Sequence, residues 1–175
     1  MGISQTPQAL VPASFSSGGM TLLQSMSLSG TSVTSSTLSS SYKMLIIYIK
    51  DLYGAAQQAL NMRLNNDSGN NYNYNYTEGT TTLGPGSNNA TAQIRIGTLV
   101  TTTTARQKFN GIIEIMTPSD TDNVLIKSMG TDYNGSAQEV NFSIGVYDSS
   151  AAITSITIYA ASSMTAGTAY IYGVN

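Results

Sequence analysis

The sequence predicts an all-β protein: a jelly-roll-like antiparallel β-sandwich of about nine or ten strands, preceded by an extended N-terminal arm. Three observations predict it. Apolar residues recur with period two in run after run, the spacing that puts alternate side chains on opposite faces of a strand. Clusters of Gly, Pro, Asn, Asp and Ser separate those runs. No stretch holds a helical period for three turns. At 175 residues the chain suits one domain, long enough to bury roughly 70% of the surface its unfolded form exposes. The division expected is an arm over residues 1–20 and a sandwich over residues 21–175.

Residues 1–20 show no sustained period. Pro7 and Pro12 deny a helix interior, and Gly18 and Gly19 loosen the junction with the sandwich. The segment has no charged side chain, and Ile3, Leu10, Val11 and Phe15 are spaced apolar anchors. A solvated tail is usually more charged than this. Beside a disordered tail there stands the alternative of an arm that orders against a neighbouring subunit. The first strand comes next, with Met20, Leu22, Met26 and Leu28 on one face. Residues 30–41 are rich in Ser and Thr around Val33 and Leu38, a short second strand and a loop. Residues 43–51 form the most apolar strand, expected at the centre and covered on both faces.

After a turn at 51–54, residues 55–59 could form one helical turn, too short to stand alone. Alternation resumes with Leu60, Met62 and Leu64 inward and Asn61 and Arg63 outward. A turn cluster at 65–69 leads into Asn-Asn-Tyr-Asn-Tyr-Asn-Tyr over residues 70–76. If extended, that run places Tyr72, Tyr74 and Tyr76 on one face and Asn71, Asn73 and Asn75 on the other. Residues 77–89 read as a loop around Gly84, Pro85 and Gly86. Further strands are expected over 92–101 (Ile94 and Ile96 inward), 108–117 (Ile113 and Ile115) and 123–129 (Val124 and Ile126). Another covers 138–147, with Val140, Phe142, Ile144 and Val146 on one face. Residues 153–159 and 168–174 alternate in the same way. With Ala-Ala-Ser-Ser-Met-Thr-Ala-Gly between them they read as a terminal antiparallel hairpin.

Composition narrows the function classes. There is no His, Cys or Trp. The commonest general base and metal ligand is therefore missing, and no disulfide can brace the fold. Charged residues make up 9% of the chain, against roughly 25% in ordinary soluble domains. The formal net charge is −2, without clustered Lys or Arg; neither a nucleic-acid nor an anionic-membrane partner is expected. The apolar run over residues 44–49 is far short of the ~20 residues that span a bilayer. No Lys or Arg precedes Lys43, so the basic region of a secretory signal is missing and synthesis in a cytoplasm is expected. A surface of short neutral polar groups has little repulsion to keep copies apart, and it tolerates close packing in an assembly.

The tyrosine row at 72, 74 and 76 is the most distinctive candidate site. Aromatic faces flanked by amides can stack on sugar rings of a glycan, or supply a subunit contact. The bland alternative is an edge strand whose tyrosines cover the domain's own core. Asp120 and Asp122 alternate as in a calcium loop but lack the downstream Gly and Glu, so a polar turn after Pro118 is favoured. They also lack a partner that would set them apart as a catalytic pair. No cofactor, metal or catalytic residue is expected. Five Asn-X-Ser/Thr sequons, at Asn66, Asn75, Asn89, Asn134 and Asn141, reflect composition, and none is read as an acceptor. Arg95, Arg106 and Lys108 are too few for a nucleic-acid patch and read as solvated charges at strand ends, with inter-subunit pairing as the lesser alternative.

The run Met-Thr-Leu-Leu-Gln-Ser-Met-Ser-Leu-Ser-Gly-Thr-Ser-Val over residues 20–33 resembles the first strands of a group of tailed-bacteriophage virion proteins. The strand over 42–52, the run over 64–72 and the terminal Ala-Tyr-Ile-Tyr-Gly-Val over 169–174 continue the resemblance. It implies a structural component of a virion, assembled in a host cytoplasm, in which a short arm leads into one β-sandwich. No active-site residues come with it. Together with sparse charge and the aromatic row, it leads us to expect a cyclic homotrimer, with a dimer next. Two placements compete. One is a capsid decoration or cement protein held to the major capsid protein by the arm. The other is a tail or fibre protein that recognises host-surface glycans through Tyr72, Tyr74 and Tyr76.

Overall fold

A computed structural model of the chain describes residues 19–79, 84–101, 104, 107–119, 123–133 and 135–175. Over these residues it is all-β, with eleven strands and no α-helix. They are β1 (Met20–Ser27), β2 (Gly30–Thr34), β3 (Met44–Gly54), β4 (Gln58–Leu64), β5 (Tyr72–Gly79) and β6 (Gly84–Thr91), then β7 (Ile94–Leu99), β8 (Phe109–Met116), β9 (Asn123–Tyr133), β10 (Gln138–Asp148) and β11 (Ile156–Val174). Every pairing is antiparallel, along the path β6-β5-β10-β9-β8-β3-β11-β4-β7, with β1 and β2 also on β11. The anchors Ile3, Leu10, Val11 and Phe15, the pair Asp120 and Asp122, and Asn134 and Arg106 lie outside the described residues.

The path folds back on itself as a jelly-roll-like sandwich close to a barrel. One layer runs from β6 through β5, β10, β9, β8 and β3 to the C-terminal half of β11, with β1 beyond it. The other holds β2, the N-terminal half of β11, β4 and β7. Ile47, Ile49, Phe109, Ile113 and Ile126 from the first layer meet Leu60, Met62, Ile96 and Ile158 from the second in one buried core. Each such side chain contributes about 1.5–3 kcal/mol by leaving water. The Ser128 hydroxyl donates to the Ile96 carbonyl at 2.8 Å and ties the layers across that core.

The terminal hairpin does not form. Residues 156–174 are one 19-residue strand. Residues 156–160 pair with β4, residues 157–159 with β2, and residues 168–174 with both β1 and β3. The small residues between are the crossing from one layer to the other, where register slips twice against β3. Gly167 has φ +149, and a Cβ there would lie 2.8 Å from the Leu52 Cα. Smallness here serves close approach to a neighbouring strand, the other common reason for Gly and Ala beside a turn.

Other departures have equally local causes. A bulge between Leu22 and Gln24 shifts the parity of β1, so Met20 and Leu22 face outward while Met26 is buried. Residues 55–57 make no helical turn and connect β3 to β4. Asn61, expected outward, is buried, with its amide donating to the Ala59 carbonyl at 3.2 Å. Part of the expected 77–89 loop is β6, an edge strand on β5, where a proline is tolerated.

The turn between β4 and β5 is held by Asp67. Its Oδ1 accepts from the Gly69 amide at 2.7 Å, and its Oδ2 accepts from Asn71 Nδ2 at 2.7 Å and the Tyr147 hydroxyl at 2.9 Å. The Asn71 bond, then that of Gly69, lowers its pKa from 3.8. A lowered pKa gives stability that is present above the ordinary carboxylate range and lost as pH falls below it. We expect Asp67→Ala to cost about 1 kcal/mol at pH 7. The deficit against the wild type should shrink at pH 3, as read from urea midpoints at the two pH values.

Candidate interaction face

Strand alternation sorts side chains into two faces, and in β10 the sorting is the reverse of an ordinary core strand. Asn141, Ser143 and Tyr147 are buried, while Val140, Phe142 and Ile144 are 50%, 43% and 37% exposed. The tyrosines of β5 explain this. Tyr72 and Tyr74 are buried and Tyr76 packs against the same core. Their rings fill the space under β10. Tyr147 stacks on Tyr72 at 4.7 Å between centroids. Gly145 lies where a Cβ would meet the Tyr74 Cβ at 2.6 Å. Small or planar residues must face these rings, so the apolar residues of β10 are turned out. Tyr72 and Tyr74 therefore cover the domain's own core and are not displayed on the surface, while Tyr76 is half-buried against the same core.

The outward side chains continue from strand to strand, because directly paired residues share a face. One row runs Tyr170, Tyr48, Ile112, Met129, Phe142. The next runs Tyr172, Ile46, Glu114, Lys127, Ile144. A third begins Met20, Val174, Met44, Met116. Met129 is 59% and Tyr48 43% exposed. Between the first row and Val140 lies a shallow groove of about 470 Å³, floored by Gly111 and Gly130 and edged by Asn110 and Thr131. Charge enters these three rows only as Glu114 and Lys127, directly opposite each other on β8 and β9. Large contiguous apolar surfaces of this kind mark interaction sites.

A polar cluster lies on the inner side between β5, β7, β9 and β10. The Arg95 guanidinium donates to Glu78 at 2.5 Å and to the Thr98 hydroxyl at 2.9 Å, with its plane over the Tyr76 ring at 4.5 Å. It is thus paired and half-buried, not the solvated strand-end charge expected. Lys108 reaches over the Tyr53 ring at 5.2 Å. Asp132, fully buried on β9, accepts from Asn141 Nδ2 at 2.8 Å, and its Oδ1 has no hydrogen-bond partner among the described residues. Burial pushes its pKa up to about 6, opposed by the Asn141 bond and reinforced by the Glu139 and Glu78 carboxylates. No three acidic side chains gather into a metal-binding group among the described residues.

Two features of this site escaped the sequence reading. Asp132 could have been found, because Val124 and Ile126 set the inward parity that continues to it. The outwardness of β10 could not, since a period of two separates faces without saying which one is buried. Comparison with protein-family models, with curated proteins and with solved structures finds no match to this chain.

Proposed function

We propose that the chain is a non-catalytic structural protein of a tailed-phage virion, a capsid decoration or cement protein that attaches through its N-terminal arm. Its partners are then the major capsid protein and further copies of itself. The observation that supports this best is the apolar outer face from β1 to β10, on a chain whose charge is only 9% of its residues. Such a surface is at home in an assembly. The arm adds to it: residues 1–18 carry spaced apolar anchors and no charge, a composition suited to lying in a groove of a larger lattice. Ordering it would cost about 1–2 kcal/mol per residue in backbone entropy, offset by burial of Ile3, Leu10, Val11 and Phe15. The competing placement as a glycan-binding tail protein leaned on the tyrosine row, and two of its three rings are buried.

Deletion of residues 1–19 tests this. The truncated protein is expected to keep its β-rich circular dichroism spectrum and to lose attachment to particles that lack their own copy. Undiminished particle binding by the truncated protein, with binding of host-envelope glycans by the full chain, would overturn the proposal.

A further inference from the structure

We infer that the outer apolar face is covered by the same face of a second copy, related by a two-fold axis that runs along the strands between β8 and β9. Copy and symmetry both come from the layout of side chains on the face. Rotation about such an axis lays β8 of one copy over β9 of the other, and β3 over β10. Near the axis, Glu114 then meets Lys127 of the second copy and Ile112 meets its Met129. Further out, Tyr48 meets Phe142. Over these four strands apolar faces apolar, and each charge finds its opposite twice over.

An uncharged occupant would cover Glu114 and Lys127 without a new partner, and a partner of single sign would suit one of them only. A second copy suits both at once. Isologous contacts of this kind are the commonest in homo-oligomers.

Size agrees. The four strands that cover one another across this axis, β3, β8, β9 and β10, give at about 4.8 Å spacing a strip roughly 19 Å across, and three to four outward rows give about 20–27 Å along it. The product is roughly 400–500 Å² per copy, and β11 and β1 lying over β5 and β6 of the second copy extend the contact towards the ~800 Å² per partner of a standard interface. Sheets stack face to face about 10 Å apart in sandwiches, so the pair would extend across two chains the packing each already uses within itself. The pairing rests on the reading of this chain as an assembly component. It engages a surface separate from the arm and is tested without particles, so the two can fail separately.

The test is sedimentation analysis of the full chain at micromolar concentration, with three variants. The wild type is expected to be a dimer. Glu114→Lys and Lys127→Glu should each weaken it about tenfold or more, since each places like charges opposite one another at two symmetric points. Mixed in equal amounts, these two variants should form a heterodimer at least as tight as the wild type. An ion pair confined within one copy could not produce that rescue. Met129→Asp should give a monomer with unchanged circular dichroism, because that side chain is mostly exposed; should it unfold instead, the charge pair still decides. A folded wild-type monomer, a cyclic trimer, or charge variants that fail to pair when mixed would overturn the inference.

Discussion

Tyr72→Ala is expected to destabilise the domain by about 3–5 kcal/mol, the range for removing a fully buried aromatic ring. The ring has no exposed surface, stacks on Tyr147, and carries a hydroxyl that accepts from the Leu64 amide at 2.9 Å and donates to the Leu64 carbonyl at 3.2 Å. Burial raises the pKa of that hydroxyl, keeping it a neutral donor throughout the ordinary pH range. Tyr72→Phe keeps the ring and leaves the Leu64 groups short of a partner, so about 1–2 kcal/mol is expected. Tyr76→Ala should fall between, through loss of its packing and of the Arg95 guanidinium stacked on it. Urea unfolding of the three variants checks the order. A loss below about 1 kcal/mol for Tyr72→Ala would be that of a surface residue and would contradict the buried placement.

Asp132→Asn is expected to act in the opposite direction and to make the protein more stable at neutral pH. The folded-state pKa of about 6 lies above the ordinary 3.8, so the folded chain takes up the proton more readily than the unfolded one. Stability from this group is fully present below about pH 3.8 and is lost as pH rises through about 6. A rise from 3.8 to about 6 corresponds to an upper bound near 3 kcal/mol. The asparagine keeps an acceptor for Asn141 but places an amide where Oδ1 has no partner, so a net gain of about 1–2 kcal/mol at pH 7.5 is more realistic. Thermal midpoints from pH 4 to pH 8 should fall with rising pH for the wild type relative to the variant. Parallel curves for the two proteins would show that Asp132 titrates normally.

Much of the fold was legible in the sequence because strand existence depends on local patterning. The runs through Ile47, Ile113, Ile126 and Ile158 all became strands with those residues buried. What the pattern left open was decided by distant contacts. Val140, Phe142 and Ile144 look like core residues until the tyrosines of β5 claim the interior. Residues 160–167 look like a turn until β1, β2, β3 and β4 line up along both halves of β11. The site was less legible still. A face that joins β8, β9 and β10 to the distant β1, β3 and β11 becomes visible only through their registers, and Glu114 and Lys127 become neighbours only by the β8–β9 pairing.

The shared strand β11 also sets the order of events during synthesis. Its partners on both layers, β1 to β4, lie at the front of the chain, and about a hundred residues separate the end of β3 from the start of β11. At roughly 5–20 residues per second, the apolar β3 waits about 5–20 s on the ribosome before its neighbour emerges. Native structure dominated by such distant pairings forms slowly. The chain therefore spends its early life with its most apolar strand lacking one flank, an unpaired apolar edge of the kind that favours aggregation.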